Sequence, residues 1–290
     1  MNGALPLPAA EEVAGDVSRA LAEDIGDGDR TAALIPPETQ LETRVISRET
    51  AVLCGGPWFT ETFRQLDSAV CVSWQAAEAE VIHRDQEVCR LTGPARAILS
   101  GERTALNFLQ TLSGTATQAR RYVDAVAGTG AIILDTRKTL PGLRLAQKYA
   151  VRCGGARNHR IGLFDAILVK ENHISAAGSI AAAVGQALAL YPDLLLEVEV
   201  ETLEQLEEAC RAGARRVLLD NFNLKGLRAA VERYRGRVEL EASGGIDLES
   251  VRAVAETGVD FISTGALTKS VQSTDFSMRF ISRPATACQG

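Results

Sequence analysis

The second half of the chain alternates between short apolar runs and longer segments with helical spacing. From position 131 onward, six apolar runs each precede a segment in which apolar residues recur every three or four positions. Strict alternation of this kind is typical of a parallel sheet. We predict strands at about 131–135, 166–170, 194–199, 215–219, 238–242 and 260–264, and helices near 142–152, 176–190, 203–212, 224–235, 248–257 and 266–271.

The first half follows a different pattern. A predicted helix over 10–22 precedes strand-like runs at 41–48, 51–54, 69–74 and 87–91, with a second helix near 57–66 and a long one from Gly101 to about Val126. Strands that do not alternate strictly with helices predict a separate α+β domain. The acidic loop at 23–31 could suggest a calcium site. It lacks the acid at the twelfth position of a calcium loop, so a turn closing the first helix is the better interpretation.

Each predicted strand of the second half ends in polar side chains. Because the carboxyl ends of barrel strands share one face, such residues collect there, whereas a flat doubly wound sheet would concentrate them at one switch point. Their spread over all six strands favours a barrel. Glu197 and Glu199 share a strand face, and buried carboxylates need partners. An interior ion-pair network without chemistry is the alternative to a functional site.

Basic residues cluster in one part of an otherwise acidic chain. The net charge is −6 and the pI about 5.3, which disfavours a nucleic-acid partner. A local cluster of cations in such a chain predicts a site for a small anion. Any single cation could instead be a solvated loop charge. The cluster consists of Arg137, Lys138, His159, Arg160 and Lys170.

Two glycine turns follow the last two predicted strands. Gly244-Gly245 and Gly265 each precede a predicted helix. Exposed backbone N–H groups at a helix N-terminus bind phosphate, and the last loops of a barrel are a usual place for such a site.

The cysteines and the N-terminus indicate the compartment. The six cysteines are widely spaced without a C-x-x-C pair, so free thiols are expected rather than disulfides or a zinc site. We find no signal-peptide pattern, and the most apolar helical segment, 180–190, is too short to span a bilayer. We therefore expect a soluble cytoplasmic protein.

Motifs along nearly the whole chain resemble one family. They look like those of the quinolinate phosphoribosyltransferase family, also called carboxylating nicotinate-nucleotide pyrophosphorylases. The motifs are Glu23-Asp24-x-Gly26-x-Gly28-Asp29-x-Thr31, Gly101-Glu102-Arg103-Thr104-Ala105-Leu106-Asn107, Asp135-Thr136-Arg137-Lys138-Thr139-x-Pro141-Gly142, Asn158-His159-Arg160, Lys170-Glu171-Asn172-His173, Glu197-Val198-Glu199, Leu219-Asp220-Asn221 and Glu241-Ala242-Ser243-Gly244-Gly245-Ile246.

The resemblance implies a fold and an assembly. It implies an α/β protein with an open (β/α) barrel of about six units at 116–271 and an N-terminal α+β sandwich domain at 1–115, to which the tail 272–290 returns. It also implies a homodimer with a shared active site, or a hexamer built from dimers.

The resemblance further implies a reaction and roles for the site residues. The family joins quinolinate to phosphoribosyl pyrophosphate with Mg²⁺, giving nicotinate mononucleotide, pyrophosphate and carbon dioxide. Lys138, Lys170, Glu199 and Asp220 would be catalytic, and the two carboxylates would also bind the metal, partly through the substrate. The implied substrate-binding residues are these four together with Arg103 of the partner subunit, Thr136, Arg137, His159, Arg160, Ser243, Gly244, Gly245, Thr264 and Gly265.

Two other functions are considered. One is a related phosphoribosyltransferase associated with molybdate transport, which the complete set of cations for a dicarboxylate argues against. The other is a non-catalytic barrel that senses a phosphorylated metabolite, which would not require Lys138, Glu199 and Asp220.

Overall fold

The computed structural model describes residues 7–281, and these form two compact units. Unit 1 contains residues up to 118, 145–154 and from 271 onward; unit 2 contains 119–144 and 155–270. The sequence placed 145–154 in the barrel domain, whereas the structure groups this stretch with unit 1. Positions 282–290 of the predicted tail lie outside the described residues.

The elements follow one another in the predicted order. In addition to one short 3-10 helix at Ala32–Leu34, the described helices and strands are α1 Ala10–Ile25, β1 Gln40–Ser47, β2 Ala51–Val52, α2 Gly56–Leu66, β3 Cys71–Trp74, β4 Val81–Ile82, β5 Glu87–Pro94, α3 Ala95–Ala125, β6 Ile132–Leu134, α4 Arg144–Cys153, β7 Ile167–Val169, α5 Glu171–Ala177, α6 Ile180–Leu190, β8 Leu196–Val200, α7 Leu203–Ala212, β9 Arg216–Asp220, α8 Leu224–Tyr234, β10 Glu239–Ser243, α9 Val251–Ala255, β11 Phe261–Ser263, α10 Ala266–Lys269 and β12 Phe276–Phe280.

Unit 1 is built on an antiparallel sheet with strand order β12-β1-β5-β3. The chain returns after unit 2 to add β12, which pairs with β1 from Thr43 opposite Phe280 to Ser47 opposite Phe276. The core between this sheet and its helices contains Phe59, Phe63 and other fully buried apolar side chains. The sequence did not predict β4, a two-residue strand paired with β2, because two residues are too few to show a period.

Helix α3 begins six residues earlier than predicted, at Ala95 rather than Gly101. Pro94 precedes it, and the first turn contains good helix formers and the buried Ile98. Arg103 therefore lies in the third turn and not at the helix start. At that position the helix dipole has no appreciable effect on it, since the dipole's influence fades within the first turn.

Unit 2 contains a six-stranded parallel sheet in the order β6-β11-β10-β9-β8-β7. β6 and β7 are its two edges, which makes the barrel open, as the family resemblance implied. Apolar residues of the central strands, such as Val198, Val217 and Ile262, are fully buried. The parallel register brings the carboxyl ends of neighbouring strands together, for example Ser243 of β10 beside Asp220 of β9.

The helix predicted at 176–190 is two helices, α5 and α6. Gly178 ends α5 with a positive φ of 91°, and the hydroxyl of Ser179 accepts a hydrogen bond from the backbone N–H of Ala182 to begin α6. The two helices meet at a 92° bend. Within residues 7–281, no single helix has the length and apolar character needed to cross a membrane, although α5 and α6 taken as a bent pair meet both criteria.

Candidate active site

A cavity of about 440 Å³ opens at the carboxyl ends of the barrel strands in unit 2. It gathers most of the residues that the sequence singled out, together with four that were not assigned to a site. The predicted residues that line it are Thr136, Arg137, Lys138, His159, Arg160, Lys170, Glu199, Asp220 and Ser243; the others are Leu168, Leu218, Glu241 and Ser263.

A fully buried carboxylate, Asp135, shapes the loop that carries two of the cavity residues. Asp135 follows β6 and accepts hydrogen bonds from the amide of Asn158 (2.6 Å) and from the backbone N–H of His159 (2.8 Å). The backbone N–H of Asp135 donates to the carbonyl of Arg157 (3.2 Å). These contacts attach the 157–159 segment to the end of β6. They direct His159 and Arg160 into the cavity, a role that the sequence had not assigned to Asp135.

His159 faces two carboxyl groups at the bottom of the cavity. Its Nδ1 accepts a hydrogen bond from the backbone N–H of Arg160 (2.7 Å), which places the imidazole proton on Nε2. Nε2 lies 2.9 Å from Glu197 and 3.6 Å from Glu241. The Nε2–H group therefore points toward the two carboxyl groups.

The two deep carboxyl groups titrate far above their usual range. Burial, followed by the charge of Glu197, raises the pKa of Glu241 to about 8. Burial raises the pKa of Glu197 to about 7, against the opposing charge of Arg216. The sequence had placed Glu197 on the inner strand face without assigning it to the site. The sequence held one signal for both groups, because side chains two residues apart on a strand point to the same face. Glu197 lies two residues before Glu199, and Glu241 lies two residues before Ser243.

Opposite charges alternate on the neighbouring strands β7, β8 and β9. The ammonium of Lys170 forms an ion pair with Glu199, the partner that the sequence expected from a neighbouring strand. Asp220 lies on the next strand. Burial and the charge of Glu199 raise the pKa of Asp220, while Lys170 and Lys138 oppose the shift. Two carboxylates and two ammonium groups therefore share this side of the cavity.

Two guanidinium groups lie close together in the same cavity. Burial and the neighbouring charge of Arg137 lower the pKa of Arg160, so the free site holds like charges that repel. Arg137 belongs to the loop after β6, whose carbonyl groups accept from Arg144 (Arg137 O, 3.4 Å) and Thr268 (Lys138 O, 2.7 Å). A bound anion would relieve the repulsion, as expected for an anion site.

Other predicted binding residues lie outside this cavity. Gly244 and Gly245 line a second cavity of about 330 Å³, which shares Ser243 with the first. A Cβ on Gly244 would lie 2.2 Å from the side-chain oxygen of Asn221, and φ is 102°, so only glycine fits. Thr264 donates its hydroxyl to the carbonyl of Ile246 (2.9 Å). Thr264 and Gly265 line neither of the two cavities, although a Cβ on Gly265 would contact Lys138.

Arg103 is the remaining predicted site residue. It belongs to α3 in unit 1 and is exposed. Its assignment to a site completed by a second subunit stays a prediction.

The fold and cavity define a class of protein. An open (β/α) barrel places cations for an anionic ligand beside carboxylates on adjacent strands, at the face where barrel enzymes carry out their chemistry. The family models for the N-terminal and C-terminal domains of quinolinate phosphoribosyl transferase match residues 29–113 and 115–279. The chain belongs to this family.

Individual relatives are similar to this chain along most of its length. A probable nicotinate-nucleotide pyrophosphorylase [carboxylating] of Bacillus subtilis is 43% identical over 257 residues, covering 88% of this chain and 89% of that protein. A chloroplastic nicotinate-nucleotide pyrophosphorylase [carboxylating] of Oryza sativa is 40% identical over 91% of this chain and 76% of its own length. The solved nicotinate-nucleotide pyrophosphorylase of Francisella tularensis has a TM-score of 0.93 and 46% identity, covering 97% of this chain and all of that one.

Proposed function

We propose that this chain is an enzyme of NAD biosynthesis that transfers the phosphoribosyl group of phosphoribosyl pyrophosphate to quinolinate with loss of a carboxyl group. The products are nicotinate mononucleotide, pyrophosphate and carbon dioxide. Family membership along both domains supports this reaction. The observation that carries it is the pair of guanidinium groups, Arg137 and Arg160, in one cavity with Lys170, Glu199 and Asp220.

The cations suit the acceptor. Quinolinate is a planar dicarboxylate, and guanidinium groups bind carboxylates through two parallel hydrogen bonds. Arg137 and Arg160 would hold the carboxylates. Asp135 fixes the loop just before Arg160 by accepting hydrogen bonds from the Asn158 amide and the His159 backbone N–H. Lys138 and Lys170 would face a carboxylate of quinolinate and the departing pyrophosphate.

The carboxylates suit the donor. Transfer of a ribosyl group passes through a transition state in which positive charge develops on the sugar, and fixed negative charge nearby stabilises it. Glu199 and Asp220 are the carboxylates at the cavity, and they could also hold ribose hydroxyls. The ammonium of Lys170 forms an ion pair with Glu199 and orients its carboxylate.

We further propose that magnesium binds here. Mg²⁺ takes oxygen ligands and is usually held by one or two carboxylates together with substrate phosphates. Glu199 and Asp220 fit this requirement, since they lie on adjacent strands and the charge of Glu199 acts on Asp220. Magnesium would supply positive charge to the pyrophosphate as it leaves.

Loss of the carboxyl group needs no dedicated base. Once its nitrogen is ribosylated, the pyridine ring is cationic. The electron pair left at the adjacent carbon when carbon dioxide departs is stabilised beside that charge until the carbon takes up a proton. The protein's part is to hold the ring in place during this step.

A homodimer and a cytoplasmic location complete the proposal. Exposed Arg103 of one subunit would reach a carboxylate bound in the partner's barrel, as the family resemblance implies. The five described cysteines are free thiols, which suits a reducing compartment.

The test is an assay with two competing acceptors. Purified protein with Mg²⁺ and phosphoribosyl pyrophosphate is mixed with quinolinate or nicotinate, and release of carbon dioxide and formation of nicotinate mononucleotide are followed. We expect turnover with quinolinate and little with nicotinate, because a monocarboxylate leaves one of the cavity's cations unpaired. Since Arg137 and Arg160 are partly exposed, the cost is below the roughly 3–5 kcal/mol of a fully buried charge. Similar kcat/KM for both acids would contradict the assignment, and absence of turnover would favour the sensor alternative.

A further inference from the structure

A second cluster of ionisable side chains lies in unit 1, separate from the proposed active site. It contains the thiols of Cys54 and Cys153 and the carboxylate of Glu78, and every pair of their donor atoms lies within 4.8 Å. The three residues come from three different elements. Cys54 follows β2, Glu78 lies in the loop between β3 and β4, and Cys153 is the last residue of α4. Both thiols are buried, and Glu78 is partly exposed.

The donors are held in place by backbone contacts. The N–H of Cys54 donates to the hydroxyl of Ser113 (3.0 Å), and that hydroxyl donates back to the carbonyl of Cys54 (3.0 Å). Glu78 accepts hydrogen bonds from the backbone N–H groups of Gly55 (3.3 Å) and Gly56 (2.8 Å) at the start of α2. Backbone contacts therefore fix Cys54 and Glu78, whose side chains are also hydrogen-bonded to each other. The thiol of Cys153 donates to the carboxylate of Glu78 (4.0 Å).

Tyr149 supports the cluster from the preceding turn of α4. Its side chain is hydrogen-bonded to Glu78 and packs against Trp58, with ring centroids 5.8 Å apart. Tyr149 and Cys153 are four residues apart, so they lie on the same face of the helix. The phenol oxygen is thus a group that could complete or orient a set of metal ligands.

We propose that Cys54, Glu78 and Cys153 form a binding site for a thiophilic divalent cation, with zinc as the preferred metal. Zinc binds thiolate and carboxylate ligands in tetrahedral geometry. Zinc–sulfur bonds of about 2.3 Å put two sulfur ligands roughly 3.8 Å apart, which is compatible with the observed spacing of the donors. Three protein ligands leave a fourth position for water or for the Tyr149 phenol. The partly exposed Glu78 gives the ion a route of entry.

Charge also favours an ion at this position. Burial raises the pKa of the Cys54 thiol, so the cysteines give up protons when zinc binds. The resulting two thiolates and the carboxylate carry three negative charges, of which a divalent cation leaves one. That residual charge would lie at the N-terminus of the eleven-residue helix α2, where the helix dipole favours anions. Soft thiolate ligands select zinc over magnesium, so this site would not compete for the metal of the proposed reaction.

The experiment measures metal binding directly, and it is independent of the proposed function. The full-length protein is purified with reductant, stripped with a chelator and titrated with Co²⁺ and then Zn²⁺. We expect a thiolate-to-cobalt charge-transfer band and tetrahedral ligand-field bands that saturate at one equivalent and disappear on addition of Zn²⁺. Elemental analysis should find one zinc per chain.

Variants assign the ligands. With Cys54→Ser or Cys153→Ser, the charge-transfer band should no longer saturate at one equivalent of Co²⁺. Glu78→Gln should raise the Kd for zinc at least tenfold. Cys89→Ser is the matched control, because Cys89 is equally buried in unit 1 but belongs to no cluster of potential ligands among residues 7–281. It should bind metal like the wild type.

Several results would overturn the proposal. The wild-type protein could show no charge-transfer band with Co²⁺, or both cysteine variants could retain zinc. A disulfide between Cys54 and Cys153 in place of bound metal would also overturn it. The wild-type spectrum decides the question even if a serine variant fails to fold. Zinc retained without any charge-transfer band would point instead to the cluster of His159, Glu197 and Glu241, which contains no sulfur.

Discussion

Asp135 should be the residue on which the acceptor side of the active site depends most, although it does not line the cavity. We predict that Asp135→Ala lowers the free energy of unfolding by about 3 kcal/mol and kcat/KM for quinolinate roughly 100-fold. The side chain is fully buried, and the hydrogen bonds that it accepts include those from the Asn158 amide at 2.6 Å and the His159 backbone N–H at 2.8 Å.

The magnitude follows from these two contacts. A hydrogen bond to a charged group contributes about 1.5–3 kcal/mol, and a buried N–H left without an acceptor costs a similar amount. Two such bonds give an upper figure of about 6 kcal/mol. Removing a buried carboxylate also relieves its desolvation, which brings the net loss to roughly 3 kcal/mol. The effect on catalysis arises because a displacement of about 1 Å in a positioned group can cost 100-fold in rate.

Urea denaturation, steady-state kinetics and calorimetric titration with quinolinate provide the measurements. Asp67→Ala is the control, because Asp67 also accepts a backbone N–H, that of Ala69 at 2.9 Å, but is partly exposed and lies in unit 1. It should lose less than about 1 kcal/mol and keep its kcat/KM. If Asp135→Ala behaved like this control, the role assigned to Asp135 would be refuted.

Three further predictions concern the charges of the site. Glu199→Gln and Asp220→Asn should each lower kcat by about 10²–10³-fold while the quinolinate Kd changes little, because the two carboxylates stabilise charge that develops only in the transition state. Steady-state kinetics measures kcat and calorimetry measures Kd; a raised Kd with an intact kcat would contradict the roles. Arg103→Ala and Lys138→Ala should each be nearly inactive. If the site is shared in a two-fold dimer, subunit exchange between the two variants should restore roughly a quarter of wild-type activity, since heterodimers contain one intact site. If native mass spectrometry shows exchange and no activity returns, Arg103 serves the site of its own subunit. Glu197 should contribute a fall of about 3 kcal/mol in the free energy of unfolding between pH 4.5 and about 7, because the folded protein keeps a proton on Glu197 that the unfolded chain has lost. Glu241, whose pKa is raised to about 8, adds a decline of its own over the same range. Glu197→Gln should therefore reduce the slope in urea titrations without abolishing it, and an unchanged slope would show that Glu197 does not contribute.

Local patterns along the chain determined the class of fold and most of its elements. Alternating apolar and helical segments predicted the parallel barrel, because the periods of strands and helices are local properties of neighbouring residues. The polar residues at the strand ends identified the active-site face for a related reason. In a parallel sheet, the direction of the chain alone brings the ends of all strands to one edge.

Only the tertiary structure decided which of these residues meet and in what state. The contact between Asp135 and the His159 backbone joins positions 24 apart, and the proton on Nε2 of His159 depends on one neighbouring N–H. The raised pKa of Glu241 comes from burial and a facing carboxyl group on another strand. The cluster of Cys54 and Cys153 is the extreme case, since residues about a hundred positions apart meet only after the chain returns to unit 1. A spacing pattern records neighbours along the chain, whereas burial, protonation and ligand geometry depend on neighbours in space.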